Sequence, residues 1–445
     1  MIVPGDERYD EARRVWNGSI DRYPVLIARC RSEQDVIAAL AYARGRGLPV
    51  AVRGGGHSLP GHSACDDGVV IDLGLMNEVR VDPQSRRAWA QGGCRLGELD
   101  RATQRYGLAV TTGAVSHTGL GGLTLGGGFG LLMRKYGLTI DSLKAARLID
   151  AGGNLVTASE EENVDLFWAI RGGGGNFGIV TMFEFQLHSV TDLPSGVTVH
   201  TLDQAREVLS FSRNLLGEAP DDLTWGSVMR HAPELPWMPA KLVGKPVIIS
   251  AFCWLGDKER RGMVASTIEQ FTQMCPPEFS MSDTIPYVAL QSGWDEIFPH
   301  HNHAYSKGGL LAELTNEAID ALTEHARTMP SSLSQVEVTP MGGAVSRIAP
   351  DATAFPHRQA QWVFNVIGLW TPGDKSDENV NWVRNLYRTL EAQGIHGSYV
   401  NYMHGEEMGG VVGAYGQTLQ RLARIKGIYD PSNIFRFNQN ILPEI

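Results

Sequence analysis

Three glycines abut a histidine in AVRGGGHSLPGHS, residues 51–63. Glycine takes up φ > 0 without strain and leaves its backbone N–H groups bare, so a run of them can cup an anion. His57 is then the first reactive group beyond such a cup. Two further runs follow, GLGGLTLGGGFG at 119–130 and GGGGNFG at 172–178. Each alone is also what a tight turn needs. Three of them between residues 54 and 178 point to a long anionic ligand crossing several loops, such as a dinucleotide diphosphate. Gly173, Gly175 and Gly178 fit G-x-G-x-x-G, but a helical pattern precedes them and a strand pattern follows. That is the reverse of a Rossmann unit and excludes that mode of binding.

Groups that could move a proton lie far downstream. In SQVEVTPMGGAV, strand alternation puts Gln335, Glu337 and Thr339 on one face and Val336 and Val338 on the other. A polar face on a sheet is either solvent-exposed or part of a site. QWVFNVIGLW offers a second such face, with Gln361 and Asn365. FPHHNHAYSKGG holds His300, His301 and His303 at a spacing that fits no zinc scheme, so no metal is expected. It reads better as a loop at a substrate mouth, with Tyr305 and Lys307 projecting into the pocket. The five cysteines lie at 30, 65, 94, 253 and 275 without C-x-x-C spacing, which suits reduced thiols rather than a disulfide framework.

These groups need elements to hold them. PVLIARC reads as a strand, SEQDVIAALAYARGRG as a helix capped by Ser32 and ended by Gly47, and LPVAVRGGG as a strand running into the glycines. Residues 68–93 read as short strands with a turn at DPQS, and RLGELDRATQRYG as an amphipathic helix. LKAARLIDAGGNLVTAS is a hairpin, EEENVDLFWAIRG a helix and GIVTMFEFQLHSV a long strand. TDLPSG (191–196) reads as a linker. Beyond it glycine thins out, tryptophans appear and strands alternate with helices; from about 396 the texture changes again. The 445 residues carry a net charge of −10 and no basic run, which argues against nucleic acid or an anionic membrane as partner. No stretch has the length or apolarity of a membrane span or a signal peptide, so a cytoplasmic protein is expected.

Taken in order, RGGGHS, GAVSHTGLGGLTLGGGFG (113–130), KYGL (135–138), LFWAIRGGGGNFGIVT (166–181) and RLARIKGIYDPSNIFRFNQNI (421–441) resemble the berberine-bridge-enzyme-like branch of the FAD-linked oxidases, within the vanillyl-alcohol-oxidase superfamily. The likeness runs from about residue 20 to the C-terminus and is loose over 195–330. It implies an α+β fold: a PCMH-type FAD-binding domain of two subdomains (1–195), a substrate domain with an antiparallel sheet covered by helices (196–395), and a C-terminal segment (396–445) returning to the FAD domain. FAD would be held by Arg53, Gly54, Gly55, Gly56, His57 and Ser58 around the diphosphate. Gly113, His117, Thr118, Gly121, Gly122, Leu125, Gly126, Gly127, Gly178 and Val180 would join them, with Tyr399, Asn401 and Asn438 from the C-terminal segment. The resemblance also implies a covalent bond from His57 to the flavin 8α-methyl. A second bond, through a cysteine, is common in the family; Val115 occupies that position, so a single link is expected. Thr118 falls where the family places the residue over the flavin's reactive edge, and its small side chain leaves room for dioxygen.

The activity implied is that of an FAD-dependent oxidase. A hydride would pass from a C–H of an alcohol, amine, phenolic or polyketide-type small molecule to flavin N5, and O2 would become H2O2. Tyr402, which matches the family tyrosine near that edge, or Glu337 would assist the proton; Tyr402 has the alternative role of orienting substrate. Two other readings stand beside this one: a dehydrogenase of the same fold using another acceptor, and a flavin-binding protein without turnover.

Overall fold

In a computed structural model, which describes residues 1–373, 376–404 and 410–444, the chain builds three main sheets and a two-stranded ribbon. Strands β1 (Leu26–Arg29), β2 (Val50–Arg53) and β3 (Val69–Asp72) pair in parallel in the order β1-β3-β2. β1 and β2 flank β3 on either side and run the same way, so the chain must cross over between them, and the helix Glu33–Gly45 makes that crossover. Its N-cap, Ser32, accepts the Asp35 N–H at 3.2 Å. Because β2 ends at Arg53, the three glycines and His57 leave from the carboxyl edge of the sheet, where open α/β sheets bind ligands.

The second sheet is antiparallel. It takes β4 (Val79–Asp82), β5 (Arg87–Gln91), β7 (Leu143–Ile149), β8 (Leu155–Ser159) and β9 (Ile179–Gln186) in the order β4-β5-β9-β7-β8. Two short strands, β6 (Leu108–Ala109) and β10 (His188–Ser189), pair beside it. The 119–130 run is not all loop, as its glycines imply: Leu120–Gly126 forms a helix that ends where Gly127 and Gly128 take φ of 126° and 83°. The helices Val164–Ile170 and Leu419–Tyr429 pack on this unit, with Phe167, Phe183, Leu422 and Ile425 in one apolar core.

The third sheet comprises β11 (Leu193–Thr201), β12 (Leu223–His231), β13 (Pro246–Trp254), β14 (Phe279–Ile285), β15 (His303–Leu311), β16 (Gln335–Pro340) and β17 (Trp362–Trp370), all antiparallel, ordered β14-β11-β13-β12-β16-β17-β15. The expected linker TDLPSG is thus corrected. Its last four residues open β11, and Pro194 is accommodated opposite Thr284 of the edge strand β14. Helices Ala205–Glu218, Asn316–Ala326 and Ser376–Glu391 cover one face, burying Trp225, Trp362, Trp370 and Trp382. The other face looks toward the glycine segments. All nine residues of β17 are therefore buried, on both sides of an antiparallel sheet. Among the described residues no helix is long and apolar enough to cross a membrane.

Candidate active site

A cavity of about 550 Å³ lies between the glycine segments and the third sheet. Gly54, Gly55, Gly56, His57, Ser58, Gly113, Thr118, Gly121, Gly122, Leu125, Gly178 and Val180 line it from the first two sheets. Glu337, with Gln335, Thr339 and Asn365, lines it from the third, and Tyr399, Asn401, Tyr402 and Asn438 from the C-terminal segment. Residues far apart in sequence thus share one wall. Arg53, His117, Gly126 and Gly127 stand outside it. Arg53 is buried, and its Nη1 donates to the Ala12 carbonyl at 2.6 Å, so it braces the N-terminal segment rather than facing the cavity. Gly126 is packed tightly against Asn401, whose side chain a Cβ there would meet at 2.5 Å.

In two respects the wall suits a long cofactor that offers hydrogen-bond donors. A Cβ built on Gly122 or Gly175 would meet nothing within 4 Å, so these two glycines keep cavity space open. Asn438 spends its amide on the Gly175 and Phe435 carbonyls, which leaves its buried Oδ1 without a protein partner. Gly55 has a different purpose. A Cβ on it would lie 2.3 Å from the Gly119 nitrogen, because the loops 54–56 and 118–119 touch backbone to backbone. Tyr399 and Asn401 brace the far end. Asn401 Nδ2 donates to the Tyr399 hydroxyl at 2.8 Å, and Tyr399 stacks on Phe129 with ring centres 4.0 Å apart.

That backbone contact brings His57 and His117 together, 60 residues apart in sequence. His57 Nε2 and His117 Nδ1 are 2.7 Å apart and share a proton. Trp16 stacks on His57 at 5.2 Å. Burial, reinforced by His117, His300 and Arg95, holds the His57 imidazole well below its ordinary pKa and hence neutral. Of the run 300–303, only His300 joins this group; one ring nitrogen from each of His57, His117 and His300 lies within 4.8 Å of the others. At 2.7 Å the first two are hydrogen-bonded rather than co-ligated, since two imidazole nitrogens on one tetrahedral cation sit about 3.3 Å apart. Val115 lines the cavity where the cysteine is missing, and none of the five cysteines does.

On the opposite wall the alternation of β16 is borne out, and Glu337 faces the cavity rather than bulk solvent. Gln335 Nε2 donates to Glu337 Oε1 at 2.6 Å, and Asn365 Nδ2 approaches Oε2 at 3.4 Å. Arg230, buried beside them, donates to Gln335 at 2.6 Å, and Ser306 donates to Asn365 at 2.7 Å. Burial raises the Glu337 carboxyl above its ordinary pKa, although Asn365, Gln335 and the Arg230 charge all oppose the shift. Tyr402 packs over Gly308, and burial together with the Glu337 and Tyr399 charges pushes its phenol well above 10. Tyr305 and Lys307 correct the sequence reading. They alternate to the helix-covered face, where Tyr305 joins the tryptophan core and Lys307 sits 5.0 Å over the Tyr387 ring. Sequence reasoning missed Trp16, a lone aromatic with no motif around it, and did not say which of the later tryptophans reach the cavity; Trp294 is one that does. The 397–410 stretch that carries Tyr402 is described only outside residues 405–409.

Comparison with known proteins agrees with this fold. An FAD-binding-domain family matches residues 24–159, and a berberine and berberine-like family matches 398–442. The chain is 34% identical, over all of its own length and 96% of the relative's, to the uncharacterized FAD-linked oxidoreductase YgaK of Bacillus subtilis (strain 168). It is 30% identical, over all of its length and 96% of the relative's, to (R)-6-hydroxynicotine oxidase of Paenarthrobacter nicotinovorans. The crystal structure of 6-hydroxy-D-nicotine oxidase from Arthrobacter nicotinovorans superposes with a TM-score of 0.87 at 28% identity, covering 100% of this chain and 97% of that one.

Proposed function

This chain belongs to the berberine-bridge-like FAD-linked oxidoreductases, and we propose that within that family it is an oxidase of a small organic molecule, carrying its FAD on a single covalent link to His57. Bound FAD supplies the two-electron acceptor for a hydride leaving a substrate C–H. The protein's own contribution is to hold the substrate and take its proton.

The observation that carries this reading is Glu337, an acid held on the cavity wall with its pKa raised by burial. Oε1 is engaged by Gln335 and Oε2 has only the long Asn365 contact, so Oε2 accepts the substrate's O–H or N–H proton. Tyr402 keeps its own proton and donates a hydrogen bond that orients the substrate. Around these polar groups the wall is apolar, with Val228, Ile249, Val363 and Trp294, which suits an alcohol, amine or phenolic molecule with a hydrocarbon body. A relative named for 6-hydroxynicotine supports that class. Thr118 leaves room for dioxygen beside the glycine loop, and Val115 in place of a cysteine leaves His57 as the one attachment point.

The test is anaerobic mixing with panels of alcohols, amines and phenols. Bleaching of the flavin, followed by its return in air with one H2O2 per turnover, is the expected result. Bleached enzyme that stays reduced in air but recovers with a dye acceptor would make it a dehydrogenase. No bleaching by any substrate would return the case to a flavin carrier without turnover.

A further inference from the structure

We propose that His117 is the positioning residue for flavin attachment: it takes the Nε2 proton of His57, leaving Nδ1 of His57 as the lone pair that bonds to the cofactor. This rests on the single His57 link proposed above and goes beyond it by naming the group that prepares the nucleophile.

The geometry is specific. A neutral imidazole carries one proton, and the nitrogen that donates it leaves the other as the nucleophile. Nε2 of His57 lies 2.7 Å from His117 Nδ1 and the two share one proton; with that proton on His57, its free nitrogen is Nδ1. The ring cannot turn freely, because Trp16 stacks on one side at an interplanar angle of 22° and His117 packs on another with ring centres 4.8 Å apart. His117 is itself anchored through its neighbour. Asp295 accepts both the Ser116 N–H at 2.7 Å and the Ser116 hydroxyl at 2.5 Å, and the Ser116 carbonyl accepts the Gly97 N–H at 2.8 Å. A loop that only lined the cofactor would not need an acid from the third sheet's side of the molecule to fix one residue behind the wall.

The step balances. A C–N bond forms between His57 Nδ1 and the flavin 8α-carbon, and one C–H bond of that methyl breaks with loss of a proton. The electron pair of the broken bond reduces the isoalloxazine by two electrons, and dioxygen removes that pair as H2O2. The substituted imidazole would become a buried cation if it kept its Nε2 proton. Transfer to His117 moves the charge to a better place: burial lowers the pKa of His117 as well, but the Asp295 carboxylate favours its charged form, whereas every neighbour of His57 disfavours a charge there. His117 can then return an N–H to the bare Nε2 and hold the attached ring.

The experiment uses full-length protein purified from flavin-starved cells, to which FAD is added. Covalent incorporation is followed by acid precipitation and in-gel fluorescence, and non-covalent binding by quenching of free FAD fluorescence. In wild type acid-stable flavin accumulates, and in His57→Ala none does. His117→Ala is expected to bind FAD but to attach it at least ~100-fold more slowly, within the range of general-base effects, and added imidazole should restore part of the rate. His117→Asn keeps an acceptor for the Nε2–H but cannot take the proton; it is expected to be slow as well and serves if the alanine variant does not fold. Attachment at the wild-type rate in either variant overturns the inference, as does loss of FAD binding in both. Acid release of all flavin from wild type, with His57→Ala indistinguishable from it, overturns the His57 link itself.

Discussion

Gln335 donates its Nε2–H to Glu337 Oε1 at 2.6 Å, so the two oxygens of that carboxylate are not equivalent. The bond continues to Arg230, which donates to Gln335 at 2.6 Å. A buried acid held this way keeps a fixed direction, with Oε1 committed to Gln335 and Oε2 met only by Asn365 at 3.4 Å. Its pKa stands above the ordinary 4.5 because burial outweighs the neighbours that favour the anion.

Glu337→Gln should therefore slow flavin reduction by substrate about 10²–10⁴-fold, the span of a lost general base, with FAD content unchanged. The sign of the pH effect follows from the raised pKa. Wild-type reduction should rise with pH as Glu337 loses its proton, along a limb lying above the usual carboxylate range. Stopped-flow reduction against pH checks both, and a limb that survives in the variant removes Glu337 from the role.

Tyr402 gives a contrasting expectation. A phenol pushed well above 10 remains protonated across the working range and acts as a donor. Tyr402→Phe then costs about one hydrogen bond, ~0.5–1.5 kcal/mol or a few-fold in rate, and leaves the pH profile in place. A loss beyond ~100-fold together with a vanished alkaline limb would make the tyrosine the base instead.

Two glycines that look alike in sequence should behave oppositely. Gly55→Ala drives a Cβ to 2.3 Å from the Gly119 nitrogen, and backbone cannot step aside as a flexible side chain can. A fall in Tm equivalent to ~1–3 kcal/mol is expected, with loss of the flavin. Gly122→Ala meets nothing within 4 Å and lies in the helix Leu120–Gly126, so the fold should hold or gain slightly. Its methyl enters the cavity instead, and weaker FAD retention at unchanged Tm is the result to look for.

That pair also marks what was legible in the sequence. Runs of glycine announced backbone close to a ligand, and alternation in β16 put Glu337 on a polar face, because both signals are local. Whether that face met solvent or a cavity depended on packing against strands more than 150 residues away, and only the fold decides it. The TDLPSG stretch misled for the same reason: Pro and Gly read as a linker, yet the β14 partner accepts them in a strand. Tyr305 and Lys307 sat in a histidine-rich run that drew attention to the loop, while β15 alternation turned both away from the cavity. The His57–His117 contact had no sequence signal, since it arises where two glycine loops touch.

Asp100 supplies a test of stability rather than turnover. It is 1% exposed in the helix Leu96–Gln104, reached by Thr112 Oγ1 at 3.2 Å and by Gln291 Nε2 at 3.4 Å. Gln291 comes from the helix Tyr287–Ser292, so the acid sits at the join between the FAD-side unit and the third sheet's unit. Burial raises its pKa from 3.8 to about 7, and the hydrogen bonds from Gln291 and Thr112 offset only part of this. The folded pKa exceeds the unfolded one, so the native state holds a proton that the unfolded chain has released. The contribution is fully present below about pH 4 and is lost as pH rises through 7, a change on the order of 4 kcal/mol across that window. Buried histidines with lowered pKa, such as His62 and His188, give the opposite slope but are common to wild type and variant. Asp100→Asn removes the ionisable group while keeping a polar side chain at the join. The variant's Tm should accordingly fall less than that of wild type between pH 5 and pH 8, measured by calorimetry at matched ionic strength. Parallel Tm curves for the two proteins would mean that Asp100 is ionised in the fold and that the join tolerates a buried charge.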